Sequence, residues 1–582
     1  MNCGCGIARL VAAVALWFVA LAMALPAAQA PGGSDGGSRV VDLQHGCQIL
    51  QDVHSAGEKL GIYRRDWSPT QVGPTISEWE PIARLAHLQL LLAPQPYFGR
   101  ALRYFNQAPW WYRLEFPTPW GATHATLRFE GVDYYAKVWL NEQLLGEHEG
   151  YADSFEFEVG PLLSRDKPNL LIVKASSPWD NEISSGKEQR RLWEVTRHMI
   201  KGTYEHADTF VQRDVNPIGI WRPVRLIVHD GLRAAGNLAI VTKVDAAAAR
   251  ADVSFTWPVA LDAAAQGAVL TARVFSEPGG LEVAHVSKTV QLGHGTTDVT
   301  ASLALNAPRL WSTWDRDGPS LYRLELDLRG AAGSGLASRT TFGIRTVELR
   351  RTRTETRFFL NGKPIYLRGA NYWPDIYLSK VDRARYERDL AAAVRVGINA
   401  LRVHVHVEND DFYDICDRMG IVVLQDSDLN WAFPTDEAFA NRAVAVVGAM
   451  IRRLRNHPSI ICWTLINEAQ FATEAEVRAG PQLFAEAVRL DPSRPTIRNS
   501  GDEDSIDSGD THDYRGSLGG GAYTDIAGST ARLATEFGVD APPSPESARI
   551  VPEIARRLET VLPRVAELHD YQYRLIKFYI EH

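Results

Sequence analysis

The sequence predicts two β-sandwiches followed by a barrel of alternating strands and helices, and three observations predict it. Apolar and polar residues alternate from about Gly46 to about Arg345 with no long helix among them, and turn residues cut those runs at short intervals. After Phe358 the period changes, and short apolar strands alternate with amphipathic helices. Many short strands without helices make sandwiches, whereas strands that alternate with helices make βα units around a parallel sheet.

Composition sets the bounds. The chain has 582 residues, 45% of them apolar and 23% charged, which is ordinary globular protein with room for about three domains. Disordered and fibrous classes are excluded. The net charge is −8, the pI is about 6.1, and no Lys/Arg cluster is interleaved with aromatics, so there is no electrostatic footprint for nucleic acid.

Residues 1–30 read as a secretory signal peptide. Arg9 precedes an apolar run at 10–25, and Ala28-Gln29-Ala30 is a small-x-small cleavage site. The expected mature protein is secreted or periplasmic, with no membrane segment once the signal is removed. Residues 31–39, P-G-G-S-D-G-G-S-R, form a flexible leader. Cys3 and Cys5 leave with the signal, and Cys47, Cys416 and Cys462 make no disulfide framework. Cys416 and Cys462 stand in apolar contexts and read as buried hydrophobes.

Residues 40–230 carry the first sandwich, with strands such as W-Y-R-L-E-F at 111–116, and end through G-I-W-R-P-V at 219–224. Residues 231–345 carry the second, of roughly immunoglobulin size, cut by Gly236-Asn237 and Glu277-Pro278-Gly279-Gly280. Residues 346–582 carry the barrel. Its strands are expected at 365–369, 400–405, 421–425, 460–466, 496–497, 510–513 and 533–535, with helices at 382–396 and 438–454 among the connections. Seven strands are legible where a closed barrel takes eight, so the barrel is expected to be incomplete at its carboxyl end, in a helix at 571–582.

Two strand exits present a glutamate. Glu468 ends the apolar run I-I-C-W-T-L-I-N-E-A at 460–469, and Glu536 follows the seventh strand in T-E-F-G. Loops at the carboxyl ends of barrel strands build active sites, and two carboxylates across such a mouth are the apparatus of glycoside hydrolysis. Taken alone, Glu468 fits a helix cap or an ion pair equally well.

The order sandwich, immunoglobulin-like domain, barrel, together with W-Y-R-L-E-F, G-I-W-R-P-V, N-G-K-P-I-Y-L-R-G-A-N, R-N-H-P-S-I and I-N-E-A, resembles glycoside hydrolase family 2 from about Trp110 onward. The resemblance implies a jelly-roll, sugar-binding-like first sandwich, an immunoglobulin-like second, and a (β/α)8 TIM barrel. It implies a retaining exo-β-glycosidase acting at non-reducing ends of oligosaccharides, β-mannosidase- or β-galactosidase-like, whose partner is an oligosaccharide or β-glycoside substrate. The rival expectation is an inactive or incomplete carbohydrate-binding homologue.

By the same resemblance Glu468 is the acid/base, with a raised pKa, and Glu536 the nucleophile. Asn467 meets the sugar 2-hydroxyl, and Arg402 stands beside the nucleophile, unless it is a structural ion pair. His512 and Tyr514 are substrate-side groups, unless they pack the loop. Trp373 and Trp431, at the first and third strand exits, offer ring faces to a pyranose.

The family's β-galactosidases have a histidine where this chain has Val405. Their metal ligands would fall on Q-D-S-D-L-N-W-A, which keeps Asp426 and Asp428 but lacks the histidine. No metal and no cofactor are therefore expected. N-Y-W-P-D, F-Y-D-I-C-D and R-N-H-P-S-I stand closer to the mannosidase and glucosaminidase branch, although His404, Val405, His406 and Val407 replace the glycine-rich loop expected there.

Overall fold

The computed structural model describes residues 38–68, 78–97, 99–180, 196–202, 215–330, 333–469, 473–502, 508–515 and 520–538, with residues 570, 573–574 and 577–578 of a helix. The signal peptide at 1–30, most of the leader at 31–39 and most of the helix expected at 571–582 lie outside the described residues.

In the first sandwich a four-stranded sheet runs in the order Arg39–Asp42, Val224–His229, His124–Phe129, Phe155–Glu158. A six-stranded sheet runs Glu80–Pro81, Gln48–Gln51, Trp110–Phe116, Asn169–Ser176, Tyr135–Leu140, Gln143–Glu149. The period of two sends Trp110, Tyr112, Leu114 and Phe116 into the main core, while Trp111 points the other way to join Trp67, Trp139 and Ile62. Both faces of the larger sheet are thus covered, and this is why its central strand opens on three aromatics in a row.

The second sandwich packs two four-stranded sheets. One holds Leu232–Ala234, Ala239–Asp245, Arg250–Leu261 and Gly295–Asn306, the other Gln266–Glu277, Glu282–Leu292, Leu321–Gly330 and Gly335–Phe342. Phe255, Trp257, Leu270 and Leu324 sit in the core between them.

The barrel strands are β1 (Gly369–Tyr372), β2 (Ala400–Val403), β3 (Val422–Asp426), β4 (Ile460–Thr464), β5 (Thr496–Ile497), β6 (Thr511–Asp513) and β7 (Ala534–Phe537). The first five form one parallel sheet, β6 pairs with β7 in parallel, and β7 lies against β1. The first strand is four residues later than expected. Asn361 and Gly362 both have positive φ, 53° and 74°, and close a two-residue hairpin. That hairpin draws Ile365 into antiparallel register with Phe358. An apolar run reads alike in either pairing, and the N-G turn decides.

Helices α1 (Arg383–Arg395), α2 (Asp410–Met419), α3 (Glu437–Leu454) and α4 (Thr473–Leu490) cover the barrel. Asp382 caps α1 by accepting from the Arg385 amide at 2.8 Å, and Asp436 caps α3 by accepting from Phe439 at 2.9 Å. Gly420, with φ 71°, ends α2 in the left-handed region. No helix among the described residues is long and apolar enough to cross a membrane.

Two of the sequence motifs hold domains together. In R-N-H-P-S-I the Asn456 amide donates to Leu238 O at 2.7 Å and accepts from the Ile240 amide at 2.9 Å, which fastens the second sandwich to the barrel. Arg345 donates to the carbonyls of Pro458 and Ile460 at 2.5 Å. A Cβ at Gly343 would stand 2.7 Å from Pro458 Cβ, so only glycine fits there. In G-I-W-R-P-V, Arg222 donates to Asn409 Oδ1 at 3.1 Å and to Ala152 O at 3.2 Å, which ties the first sandwich to the start of α2.

Candidate active site

Strand alternation decides which residues reach the mouth. Leu401 and Val403 of β2 face the helices, while Ala400 faces inward and joins Val422, Leu424, Cys462 and Ile497 in the apolar floor of the barrel. Arg402 and Asp426 are next on those inward faces, one layer up.

Arg402 is the hub of the site. Its Nε donates to Asp426 Oδ1 and Oδ2 at 3.1 and 2.9 Å, its Nη1 to Glu536 Oε1 at 2.9 Å, and its Nη2 to Asn467 Oδ1 at 2.8 Å. Burial opposes the guanidinium charge, but Asp426 and Glu536 more than offset it and push the Arg402 pKa up. Burial likewise opposes the Asp426 charge, and Arg402 and His404 hold that carboxyl below its usual range.

Past the strand ends the ladders continue through the loops. Asn467 N–H donates to Leu429 O and Trp431 N–H to Asn467 O, both at 2.9 Å, while Glu468 N–H reaches Ser500 O at 2.9 Å. These bonds hold Trp431 and Glu468 at φ 57° and 53°, and Val405, whose N–H donates to Asp426 Oδ2 at 3.3 Å, stands at φ 47°. Three successive strand exits, β2 to β4, therefore end on non-glycine residues in the left-handed region, a costly backbone that collects at functional sites.

The two glutamates meet. Glu468 Oε1 lies 2.6 Å from His512 Nδ1, and Glu468 Oε2 accepts from Trp431 Nε1 at 2.6 Å. Glu536 Oε2 accepts from Tyr514 OH at 2.5 Å and lies 3.4 Å from the same His512 nitrogen. Glu468, His512 and Glu536 each bring a donor atom within 4.8 Å of the others. Such a triangle could take a cation. Here Arg402 and Tyr514 already donate to Glu536, and Trp431 donates to Glu468.

Asp426 and Asp428, which stand where metal ligands would fall by resemblance, are also taken by protein donors. Arg402 serves Asp426, while Tyr151 OH at 2.7 Å and the Gly202 amide at 3.1 Å serve Asp428.

Six of the eight residues singled out from sequence, Arg402, Trp431, Asn467, Glu468, His512 and Tyr514, therefore join Glu536 in one hydrogen-bonded cluster; the eighth, Trp373, stands outside it. Trp373 stacks on His406 at 5.4 Å between ring centroids and stays 36% exposed.

Two expectations are corrected. Trp431 meets Glu468 through its indole N–H rather than offering a bare face, and the Arg197 guanidinium lies over its ring at 5.1 Å. The Glu468 carboxyl is not raised. Burial pushes it up, but the bonds from His512 and Trp431 outweigh burial and leave it below its usual value.

Sequence reasoning missed His404 as a site residue. Its Nδ1 lies 3.3 Å from Asp426 Oδ2 and 3.5 Å from Glu536 Oε1. The signal was there in the replaced glycine-rich loop. It also missed Ser500, which joins His512 Nε2 at 3.0 Å to Asp510 at 2.7 Å, and Tyr151, which arrives from another domain with no local sign.

Comparison with known proteins agrees with this fold. Three family profiles match in chain order: "Glycosyl hydrolase 2 galactose-binding domain-like" at residues 82–222, "Glycosyl hydrolases family 2" at 235–345, and "Glycosyl hydrolases family 2, TIM barrel domain" at 352–511. The chain belongs to glycoside hydrolase family 2.

Within this family the chain is 27% identical over 395 residues to a β-galactosidase of Thermoanaerobacter pseudethanolicus, covering 66% of this chain and 48% of that protein. It is 26% identical over 441 residues to β-mannosidase B of Thermothelomyces thermophilus, covering 71% and 50%. The chain thus spans about half the length of these curated relatives. Among solved structures, the β-D-mannosidase of Dictyoglomus thermophilum superposes with a TM-score of 0.72 at 24% identity, covering 88% of this chain and 64% of that one. The β-glucuronidase of Bacteroides uniformis gives 0.65 at 21%, covering 87% and 60%. These two likenesses establish the fold.

Proposed function

We propose that this chain is a retaining exo-β-glycosidase that cleaves β-glycosides at non-reducing ends, with Glu536 as nucleophile and Glu468 as acid/base. The observation that carries the reading is the approach of the two carboxylates, whose facing atoms lie within 4.8 Å. That spacing lies on the side of the about 5–5.5 Å of retaining pairs rather than the about 6.5–9.5 Å of inverting ones, which supports the retaining reading. Names such as β-galactosidase and β-mannosidase on the relatives support the substrate class.

In the proposed reaction Glu536, kept anionic by Arg402, forms the bond to the anomeric carbon while Glu468 protonates the departing oxygen. Water then attacks the glycosyl ester as Glu468 takes its proton, which restores both carboxyls and releases the β-anomer. Arg402 and Asn430 engage Asn467 Oδ1 and one Asn467 N–H. The second amide N–H is left for the sugar 2-hydroxyl.

The bonds from His512 and Trp431 hold Glu468 below its usual pKa, so the leaving oxygen must displace one of them for the acid to load its proton. If it cannot, the chain is the carbohydrate-binding homologue of the rival reading. The proposal includes export, on the strength of the signal at 1–30.

A panel of aryl β-mannoside, β-galactoside, β-glucuronide and β-glucosaminide substrates tests the reading, with NMR of the first-formed anomer. Turnover of one sugar with initial release of the β-anomer is expected. An initial α-anomer would reject retention, and sugar binding without turnover on any substrate would favour the rival.

A further inference from the structure

The first sandwich does more than abut the barrel. A strap at 196–202 runs from it into the barrel mouth, and four contacts seat it there. Arg197 N–H donates to Ala432 O at 2.9 Å. Ile200 is fully buried in the barrel's own helix-side core. Gly202 N–H donates to Asp428 at 3.1 Å. A Cβ on Gly202 would meet Val405 O at 1.6 Å, so the strap lies flush against the β2 exit. Three of these contacts, at Ala432, Asp428 and Val405, fall on the loops after β2 and β3, the two that carry His404 and Trp431.

Arg197 is the part of the strap nearest the chemistry. Its side chain is 4% exposed, and its guanidinium covers the Trp431 ring at 5.1 Å, within the range in which a cation and an indole face attract. The same indole donates its N–H to Glu468 Oε2 at 2.6 Å. Trp431 also sits at φ 57°, a backbone that its surroundings must hold in place. A cation on the ring face fixes the plane of the indole and draws electron density from it, which strengthens the N–H as a donor.

We propose that Arg197 is a positioning residue for the acid/base, holding the Trp431 indole where its N–H meets Glu468, so that the first sandwich helps to set the charge state of a barrel carboxyl. The inference rests on the acid/base reading of Glu468 but goes beyond it, since Arg197 belongs to another domain and touches neither glutamate.

The groups that face Glu468 are His512 and Tyr514 from the segment after β6, Glu536 from β7, His404 from the β2 exit and Trp431 from the β3 exit. Of these, among the described residues, Trp431 is the one that Arg197 itself touches. Removing a donor from a carboxylate raises its pKa, and the acid must be protonated to act, so the basic limb of kcat/KM must move to higher pH.

The test uses the full chain and whichever aryl β-glycoside of the panel is turned over. Arg197→Met and Trp431→Phe should each move the basic limb up by about half a pH unit or more. The double variant should move it no further than Trp431→Phe alone, because both act along one path, and Arg197→Lys should restore most of the wild-type position. An unmoved limb in Arg197→Met, or additive shifts in the double variant, would overturn the proposal. Arg197→Gln replaces Arg197→Met if that protein does not fold.

If no sugar is turned over, the glycosidase reading fails, but this one is still decided. The fluorescence of Trp431, taken as wild type minus Trp431→Phe, should titrate with Glu468, and its midpoint should rise in Arg197→Met. A midpoint that stays put refutes the positioning role.

Discussion

Two buried ionic networks lie close together in this molecule and are built to opposite ends. At the seam between first sandwich and barrel, Lys201 Nζ is fully enclosed and donates to Asp133 Oδ1 at 2.6 Å, Pro217 O at 2.7 Å and Asn216 Oδ1 at 2.8 Å. Each ammonium proton has an acceptor, and Asp133 is the carboxylate that the ammonium meets directly. At the mouth, Glu468 and Glu536 face each other across His512, and Glu536 shares the cation of Arg402 with Asp426. Like charge is crowded there, and hydrogen bonds that a ligand can displace keep it in check. A closed network fixes a structure, whereas a crowded one stores the capacity to move a proton.

The comparison is sharpest when each network loses its key member. Glu536→Ala should lower turnover by about 10⁴-fold or more while leaving Tm within a few degrees, because Arg402 keeps Asp426 and Asn467 as partners. Initial rates on the panel substrates and a thermal melt check both halves. Lys201→Met should do the reverse. It leaves Asp133 buried without its ammonium and should cost about 3–5 kcal/mol of stability, read by denaturant unfolding, with kcat of the protein that remains folded close to wild type. Equal damage to activity and stability in both variants would erase the distinction.

A smaller effect sharpens it further. Asp428, which ties Tyr151 and Gly202 to the loop after β3, is pushed by burial up to about 7 despite those hydrogen bonds. An acid whose folded pKa exceeds its unfolded value adds stability fully present below the unfolded value, and that contribution is lost as pH rises through the folded one. The window here runs from about 4 to about 7. Asp428→Asn keeps an acceptor oxygen for Tyr151 and cannot ionise, so its Tm should fall less than wild type across that window. Parallel Tm curves from pH 4 to 7 would remove Asp428 from the pH response of the seam.

Some of this was legible in advance for plain reasons. The period of two in W-Y-R-L-E-F and the change of period after Phe358 are local facts, and they give strands and βα units directly. The exits at Glu468 and Glu536 were legible because two strand ends each present a carboxylate and the motifs around them resemble those of the family. The start of β1 was misplaced because an apolar run looks the same in an antiparallel hairpin and in a barrel strand. The Glu468 pKa was misjudged because burial can be guessed from sequence, whereas the two donors that outweigh it, Trp431 and His512, lie 37 and 44 residues away.

R-N-H-P-S-I and G-I-W-R-P-V are more instructive. Both helped to mark the family, yet Asn456 and Arg222 serve domain seams and not chemistry. By itself, then, the sequence determined the order of domains and the faces of the strands, since each follows from residue type and spacing along a single segment, and the choice of Glu468 and Glu536 came from resemblance to the family's motifs. Only the tertiary structure decided that bonds from His512 and Trp431 hold the Glu468 carboxyl below its usual pKa, that Arg402 serves Asp426, Asn467 and Glu536 at once, and that Arg197 from the first sandwich covers Trp431. Those outcomes depend on distances between segments far apart in the chain, and electrostatic and hydrogen-bond energies are set by such distances rather than by the identity of neighbours in sequence.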